Sequence, residues 1–191
     1  VLPTLWLVPS TADLAGAEVE LVSTDRREWQ LHDALGEVRS RYDYLFIDCP
    51  PSLGLLTLNA LVAADAVLVP MQCEYFALEG LSYLLSTIEK VRGLWNPSLE
   101  LEGILLTMVD TRTSLMQQVE GEVRGHFGAK VYKTLVPRNI RLSEAPSHGL
   151  PILKYDPASR GSYAYGQLAK EFLDRQRADQ PLDPASAQGA P

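Results

Sequence analysis

Tyr44-Leu45-Phe46-Ile47-Asp48-Cys49-Pro50-Pro51-Ser52 is a run of four apolar residues closed by an aspartate and a Pro-Pro pair. It does not alternate polar with apolar, so it has the pattern of a strand covered on both faces, as in a parallel sheet packed between helices. The prolines end it, because proline donates no hydrogen bond to a ladder. Working outward, residues 5–8, 66–70, 103–109 and 131–136 are further short runs rich in Val, Ile and Leu. Between them, Leu78, Leu81, Leu84, Leu85, Ile88 and Val91 fall at helical spacing, with Gly93 and Pro97 as stop signals. A second helix is expected from an N-cap at Ser114 through Leu115, Val119, Val123 and Phe127 to about Gly128, and a third over residues 163–175 with Leu168 and Phe172 inward. This alternation predicts an α/β fold with a mostly parallel sheet flanked by helices.

The chain has 191 residues, 46% hydrophobic and 21% charged, which suits one soluble globular domain. That domain is expected over residues 1–176. Residues 177–191 are Pro, Ala, Gln, Ser and Asp with little to bury, and are expected to form a disordered tail. No run of eighteen apolar residues occurs, and Val1 opens neither a basic region nor a signal-peptide core, so a cytoplasmic location is expected. Two cysteines and three histidines without ligand spacing argue against a disulfide framework or a metal held by protein side chains alone. The net charge of -7 is unevenly spread: residues 1–103 carry six Lys/Arg against fifteen Asp/Glu, and residues 104–173 carry nine against six. Such a locally basic half can attract phosphate backbone, although a mixed surface would give the same counts.

A phosphate-binding loop needs a Gly-Lys pair followed by Ser or Thr, because the lysine reaches the phosphates while glycine N–H groups surround them. None of the five lysines, Lys90, Lys130, Lys133, Lys154 and Lys170, follows a glycine, and no Gly-x-Gly-x-x-Gly occurs. What the sequence retains is Asp48. A carboxylate at the C-terminal end of a parallel strand points into the crevice where α/β proteins bind ligands, and there it can hold the water shell of Mg²⁺; alternatively it opens a Pro-Pro turn.

Three longer segments carry a resemblance. Tyr42-Asp43-Tyr44-Leu45-Phe46-Ile47-Asp48-Cys49-Pro50-Pro51-Ser52-Leu53-Gly54, then Gln72-Cys73-Glu74-Tyr75-Phe76-Ala77-Leu78-Glu79-Gly80, then Val136-Pro137-Arg138-Asn139-Ile140-Arg141-Leu142-Ser143-Glu144-Ala145-Pro146-Ser147-His148-Gly149 resemble, in this order, the ParA/Soj family of chromosome and plasmid partition ATPases. These are P-loop proteins of the deviant Walker class. The match runs from Leu14 to the helix near Phe172 and corresponds to the C-terminal part of a family member; the family's P-loop, its strand and its catalytic Asp would precede Val1. The resemblance implies a homodimer that sandwiches ATP with Mg²⁺, binds DNA without sequence preference on the nucleoid, and is stimulated by a ParB-type partner. The alternatives are a non-catalytic DNA-binding or dimerisation module of the same family and a membrane-associated relative of the MinD type. The last is ranked lowest, since no apolar stripe follows Leu173.

By the same resemblance, Asp48 matches the Walker B carboxylate that supports Mg²⁺ through water. Pro137 and Asn139 match a segment that packs on and hydrogen-bonds the adenine, with a strand-ending turn as the alternative. Glu74 lies in a segment that approaches the partner's nucleotide, or is a solvated loop carboxylate. Arg112 and Arg141 match positions implicated in nonspecific DNA binding, a task that suits the planar guanidinium fork. Arg124, Lys130, Lys133 and Arg160 either extend that patch or are ordinary surface charges. Ser147 and His148 lack the context of a hydrolase triad, and Cys49 has no nearby cation to lower its thiol pKa.

Overall fold

The protein is described by a computed structural model covering residues 3–50 and 52–179. Its elements in order are α1 (Leu14–Glu20), α2 (Gln30–Leu35), α3 (Leu55–Ala63), β1 (Ala66–Gln72), α4 (Ala77–Leu94), β2 (Glu100–Thr107), α5 (Ser114–Phe127), α6 (Ile140–Glu144), α7 (Ile152–Tyr155) and α8 (Arg160–Asp179). Strands β1 and β2 are hydrogen-bonded neighbours. They are joined through α4, the helical crossover that parallel neighbours need. Val131 and Pro137 continue the sheet beyond β2 through isolated parallel bridges to Ile104 and Val109. The fold is therefore α/β with a parallel sheet and flanking helices. The chain divides into two compact units, Val1–Val67 with Tyr83–Leu101, and Leu68–Ser82 with Glu102–Pro191.

In the first unit, Leu61 and Val62 of α3 pack with Ile88 and Val91 of α4 and with Leu99, and Trp29, Leu58 and Trp95 close around them. Helix α3 carries two buried polar side chains in this apolar surface: Thr57, whose hydroxyl donates to the Ser52 carbonyl at 2.7 Å, and Asn59. The Asn59 Oδ1 accepts the Leu31 N–H at 3.1 Å and its Nδ2 donates to the Arg27 carbonyl at 2.8 Å, which fastens the turn that leads into α2. Buried Asn96 does the same at the other end, donating to the carbonyls of Leu61, Val62 and Ala64 that the helix terminus leaves unpaired.

The core of the second unit is Leu105, Tyr132 and Val136, with Leu68, Leu142, Leu168 and Phe172 packed against them. Tyr132 is fully buried, so its hydroxyl needs a partner and donates to Glu102 at 2.7 Å. Burial pushes the phenol pKa up, and the Glu102 bond pushes it further. Arg175 of α8 lies 3.8 Å over the Tyr132 ring. Glu171, one turn earlier, accepts the N–H groups of Lys133 and Thr134 at 2.7 and 2.8 Å. The segment 131–136 is thereby held between β2 and α8. Gly103 is required here, because a Cβ would sit 2.6 Å from the Lys130 carbonyl oxygen and 2.7 Å from the Tyr132 ring.

Several expected elements differ. Residues 5–8 and 44–48 form no strand. Leu5, Trp6, Leu7 and Val8 are 61–94% exposed and Tyr44 to Ile47 are 38–74% exposed. A strand that is apolar on both faces forms only where a neighbouring strand and covering helices enclose it, and these runs lack that enclosure. Residues 131–136 form no strand of their own and meet β2 through the Val131 bridge and the N–H groups of Tyr132 and Val136, which donate to the Ile104 and Leu106 carbonyls. The N-cap of α5 is Thr113, not Ser114; Thr113 has the extended backbone, and Gly128 at φ +51 ends the helix as expected. Helix α4 runs through Gly93 to Leu94 before stopping. Helix α8 runs from Arg160 to Asp179, past both expected ends and three residues into the stretch read as tail; residues 180–191 of that stretch lie outside the described residues.

Candidate functional site

Beyond Thr107 the backbone turns sharply, with Met108 at φ +53, a left-handed conformation uncommon for a residue other than glycine. The turn is fixed from the side: Val109 N–H donates to the Val136 carbonyl and Arg138 N–H donates to the Val109 carbonyl. Residues 108–110 and 136–138 therefore run together at one end of the ladder. Asp110 follows, and its Oδ1 accepts the Arg112 N–H at 3.1 Å to close a tight local turn. The same carboxylate takes the Arg112 guanidinium side-on, Oδ1 from Nε at 2.8 Å and Oδ2 from Nη2 at 2.6 Å. These bonds from Arg112 hold the Asp110 carboxyl down at about 2, with Arg138 adding to the effect. The Arg112 side chain is nevertheless 86% exposed.

On the neighbouring segment, Asn139 is the N-cap of α6, its Oδ1 accepting the Arg141 N–H at 2.8 Å. Its side-chain carbonyl is thus committed to the turn, which leaves the amide NH₂ as the group able to address a ligand. Arg141 donates from Nη1 to Glu144 at 2.8 Å, and its Nε is 3.3 Å from Asp156. Tyr155 donates to the same Glu144 oxygen at 3.2 Å. The Arg141 hydrogen bond lowers the Glu144 carboxyl below the usual range.

A cleft of about 200 Å³ lies beside this turn, lined by Gln72, Cys73, Glu74, Met108, Asp110, Thr113, Met116 and Arg138. It is smaller than the roughly 300–1,000 Å³ of sites that enclose a whole drug-sized ligand, so it has room for one flat ring or one side chain. Glu74 is exposed at its rim, and Pro137 is half-buried in the bridge to Val109.

The other expected residues sit differently. Asp48 belongs to the first unit and is exposed at the end of the run 44–48, which forms no strand. Among the described residues no group of three or more His, Cys, Asp or Glu could hold a metal ion. A lone carboxylate of this kind suits Mg²⁺ bound mainly through water and phosphate oxygens, and does not suit a metal caged by protein. Partial burial pushes the thiol of the exposed Cys49 up, and the Asp48 charge pushes it further. Arg124 is occupied inside the fold, donating to Glu120 at 2.8 Å and to the Tyr132 carbonyl at 3.1 Å. Lys130, Lys133 and Arg160 are exposed. Ser147 and His148 lie in the exposed turn after α6, where His148 stacks on Tyr155 at 4.8 Å. The acids Asp110, Glu144 and Asp156 escaped the sequence reading. The first two were legible as Asp-x-Arg and Arg-x-x-Glu spacings, which place opposite charges within reach in a turn and on a helix.

Comparison with known proteins gives consistent results. A family model described as an AAA domain matches residues 1–101. The chain is 56% identical over 178 residues to the chromosome partitioning protein ParA of Caulobacter vibrioides, covering 92% of this chain and 67% of that protein. It is 60% identical over 167 residues to the sporulation initiation inhibitor protein Soj of Bacillus subtilis, covering 87% and 66%. Among solved structures it is similar to cobyrinic acid a,c-diamide synthase of Mycobacterium smegmatis with bound ADP and magnesium, at TM-score 0.73 and 36% identity over 90% of this chain and 63% of that one. The chain spans about two thirds of the length of the relatives it matches. No helix among the described residues is long and apolar enough to cross a membrane.

Proposed function

Because this chain belongs to the ParA/Soj family of chromosome-partitioning proteins, we propose that the complete gene product is a DNA-segregating ATPase. It forms an ATP-dependent homodimer in the cytoplasm, binds nucleoid DNA without sequence preference, and is stimulated to hydrolyse ATP by a ParB-type partner. The observation that carries this reading is identity of 56–60% across some nine tenths of the chain with proteins named for chromosome partitioning and for Soj.

ATP with Mg²⁺ supplies the phosphoryl group and the cation that offsets its developing charge. Asp48 would hold the ion through water. Pro137 and the Asn139 amide NH₂ would position the adenine, and Glu74 would face the nucleotide of the second protomer. The cleft beside residues 108–110 is lined by Glu74 and by Arg138, which lies between Pro137 and Asn139 in sequence, and not by Pro137 or Asn139 themselves. The residues present fit a nucleotide-bound Mg²⁺; this chain contains no Gly-Lys pair to surround the phosphates, so turnover is assigned to the complete gene product.

Arg112 and Arg141 would grip DNA phosphates. Both guanidiniums are exposed, at 86% and 54%, and each stands where a loop enters a helix. In the complete gene product with ATP, Arg112→Ala and Arg141→Ala should each weaken binding to random duplex about fivefold and lower the salt slope by about one, with nucleotide affinity unchanged. Unaltered DNA affinity in both variants would overturn the assignment of these arginines.

A further inference from the structure

Both arginines assigned to DNA are already gripped by carboxylates of their own chain. Asp110 occupies the Nε/Nη2 edge of Arg112 with two oxygens at 2.8 and 2.6 Å. That edge is the one a guanidinium offers to a pair of phosphate oxygens. Arg141 is engaged by Glu144 and approached by Asp156. With Arg138 acting on Asp110 as well, three cations face three anions, so these groups together carry no net positive charge to draw a phosphate backbone from a distance.

The acids are anchored independently of the guanidiniums. Asp110 Oδ1 is fixed by the Arg112 backbone N–H, and Glu144 by the Tyr155 hydroxyl. They also lie deeper than their partners: the Asp110 side chain is 30% exposed against 86% for Arg112, and Glu144 39% against 54% for Arg141. An arginine that swings out to a phosphate therefore leaves its carboxylate behind. Low titration of Asp110, at about 2, keeps that competitor ionised in any working buffer.

We propose that Asp110 and Glu144 act as built-in phosphate surrogates on Arg112 and Arg141, so that DNA binds by exchanging phosphate for carboxylate and its affinity is capped by these two acids. The proposal rests on the assignment of the two arginines to DNA made above. Exchange of one exposed pair for another is a small step in free energy, which suits a protein that must release DNA as readily as it binds it.

The test uses the complete gene product with ATP and Mg²⁺ and a labelled random-sequence duplex, titrated by anisotropy over a salt series. Asp110→Asn keeps the oxygen that accepts the Arg112 N–H, so the turn survives while the charge is lost. Glu144→Gln keeps an acceptor for Tyr155. Each is expected to tighten DNA binding about threefold and to steepen the salt dependence. Neither gain should appear when the partner arginine is already alanine. The proposal is overturned if Asp110→Asn and Glu144→Gln leave affinity unchanged or weaken it. It is equally overturned if the gain persists in the Arg112→Ala and Arg141→Ala backgrounds, which would mark a general charge effect. If those two alanine variants bind DNA as well as the parent, the arginines are not DNA contacts and the functional assignment falls too; if they weaken it while the acid variants change nothing, only the surrogate role falls.

Discussion

Replacing Glu171 by glutamine should loosen the segment that leads to Pro137 and Asn139. The carboxylate accepts the Lys133 and Thr134 N–H groups at 2.7 and 2.8 Å and pairs with Arg175 at 2.9 Å, with its side chain 16% exposed. Glutamine has one acceptor oxygen, so one of the two N–H groups would face an amide NH₂ and remain unpaired. A hydrogen bond to a charged group contributes about 1.5–3 kcal/mol, and partial exposure favours the lower end, so the expected loss is about 2 kcal/mol. Alanine, which strands both N–H groups, should cost about 3 kcal/mol on the same basis. Urea unfolding of the complete gene product would read the difference.

Its pH dependence gives a second check. Burial raises the Glu171 carboxyl, but the Lys133 and Thr134 N–H groups and Arg175 outweigh it, leaving the value below the ordinary one. A carboxyl depressed by folding contributes stability that is complete above the unfolded value of about 4.3 and is lost as pH falls through the lower folded value. The gap between the parent and Glu171→Gln should be full at pH 6–7 and close in the acid range below about pH 4. A gap under about 0.5 kcal/mol at pH 7, or one that persists undiminished in acid, would refute the argument.

Other expectations concern separate parts of the chain. Gly103→Ala forces a methyl against the Lys130 carbonyl and the Tyr132 ring and should destabilise by about 1–3 kcal/mol, read in the same unfolding assay; a loss below about 0.5 kcal/mol would show that β2 and residues 130–132 can part cheaply. The chain of 191 residues alone, with Leu5–Val8 and Tyr44–Ile47 exposed, should self-associate in sedimentation at micromolar concentration, whereas a monomer with a cooperative melt would contradict this. Asp48→Ala in the complete gene product should weaken Mg²⁺-dependent ATP binding by about tenfold and leave Mg²⁺-free binding unchanged; equal affinity with Mg²⁺ would remove Asp48 from the site.

Legibility followed the physics of each element. The leucines of α4 and the valines of α5 show a helical period because those helices bury one stripe and wet the other. Helix α3 shows none: Leu55-Leu56-Thr57-Leu58-Asn59-Ala60-Leu61-Val62-Ala63 is apolar nearly all round and buried over most of its length, so period carries no signal there. The short α1 and α2 are too brief to establish one. Residues 66–70 and 103–109 stood out as apolar runs, and so did 5–8 and 44–48, because composition reports how a strand is to be covered and not whether a neighbour is present to pair with it; β2 begins earlier, where Glu100 and Glu102 interrupt the apolar pattern. Site residues divide in the same way. Arg112, Arg141 and Asn139 were reached through their segments, and Asn139 proved to spend its side-chain oxygen on capping α6. The acids that hold the two arginines lie two and three residues away, a spacing that permits each pair, and the turn at Asp110 and the first turn of α6 bring donor and acceptor face to face.

The central claim is tested most directly by measuring the affinity of the complete gene product for two duplexes of unrelated sequence, with ATP and Mg²⁺ and again with ADP and Mg²⁺. The account predicts equal affinity for both duplexes with ATP and its marked loss with ADP. Selective binding of one sequence, or binding that ignores the nucleotide, would contradict it.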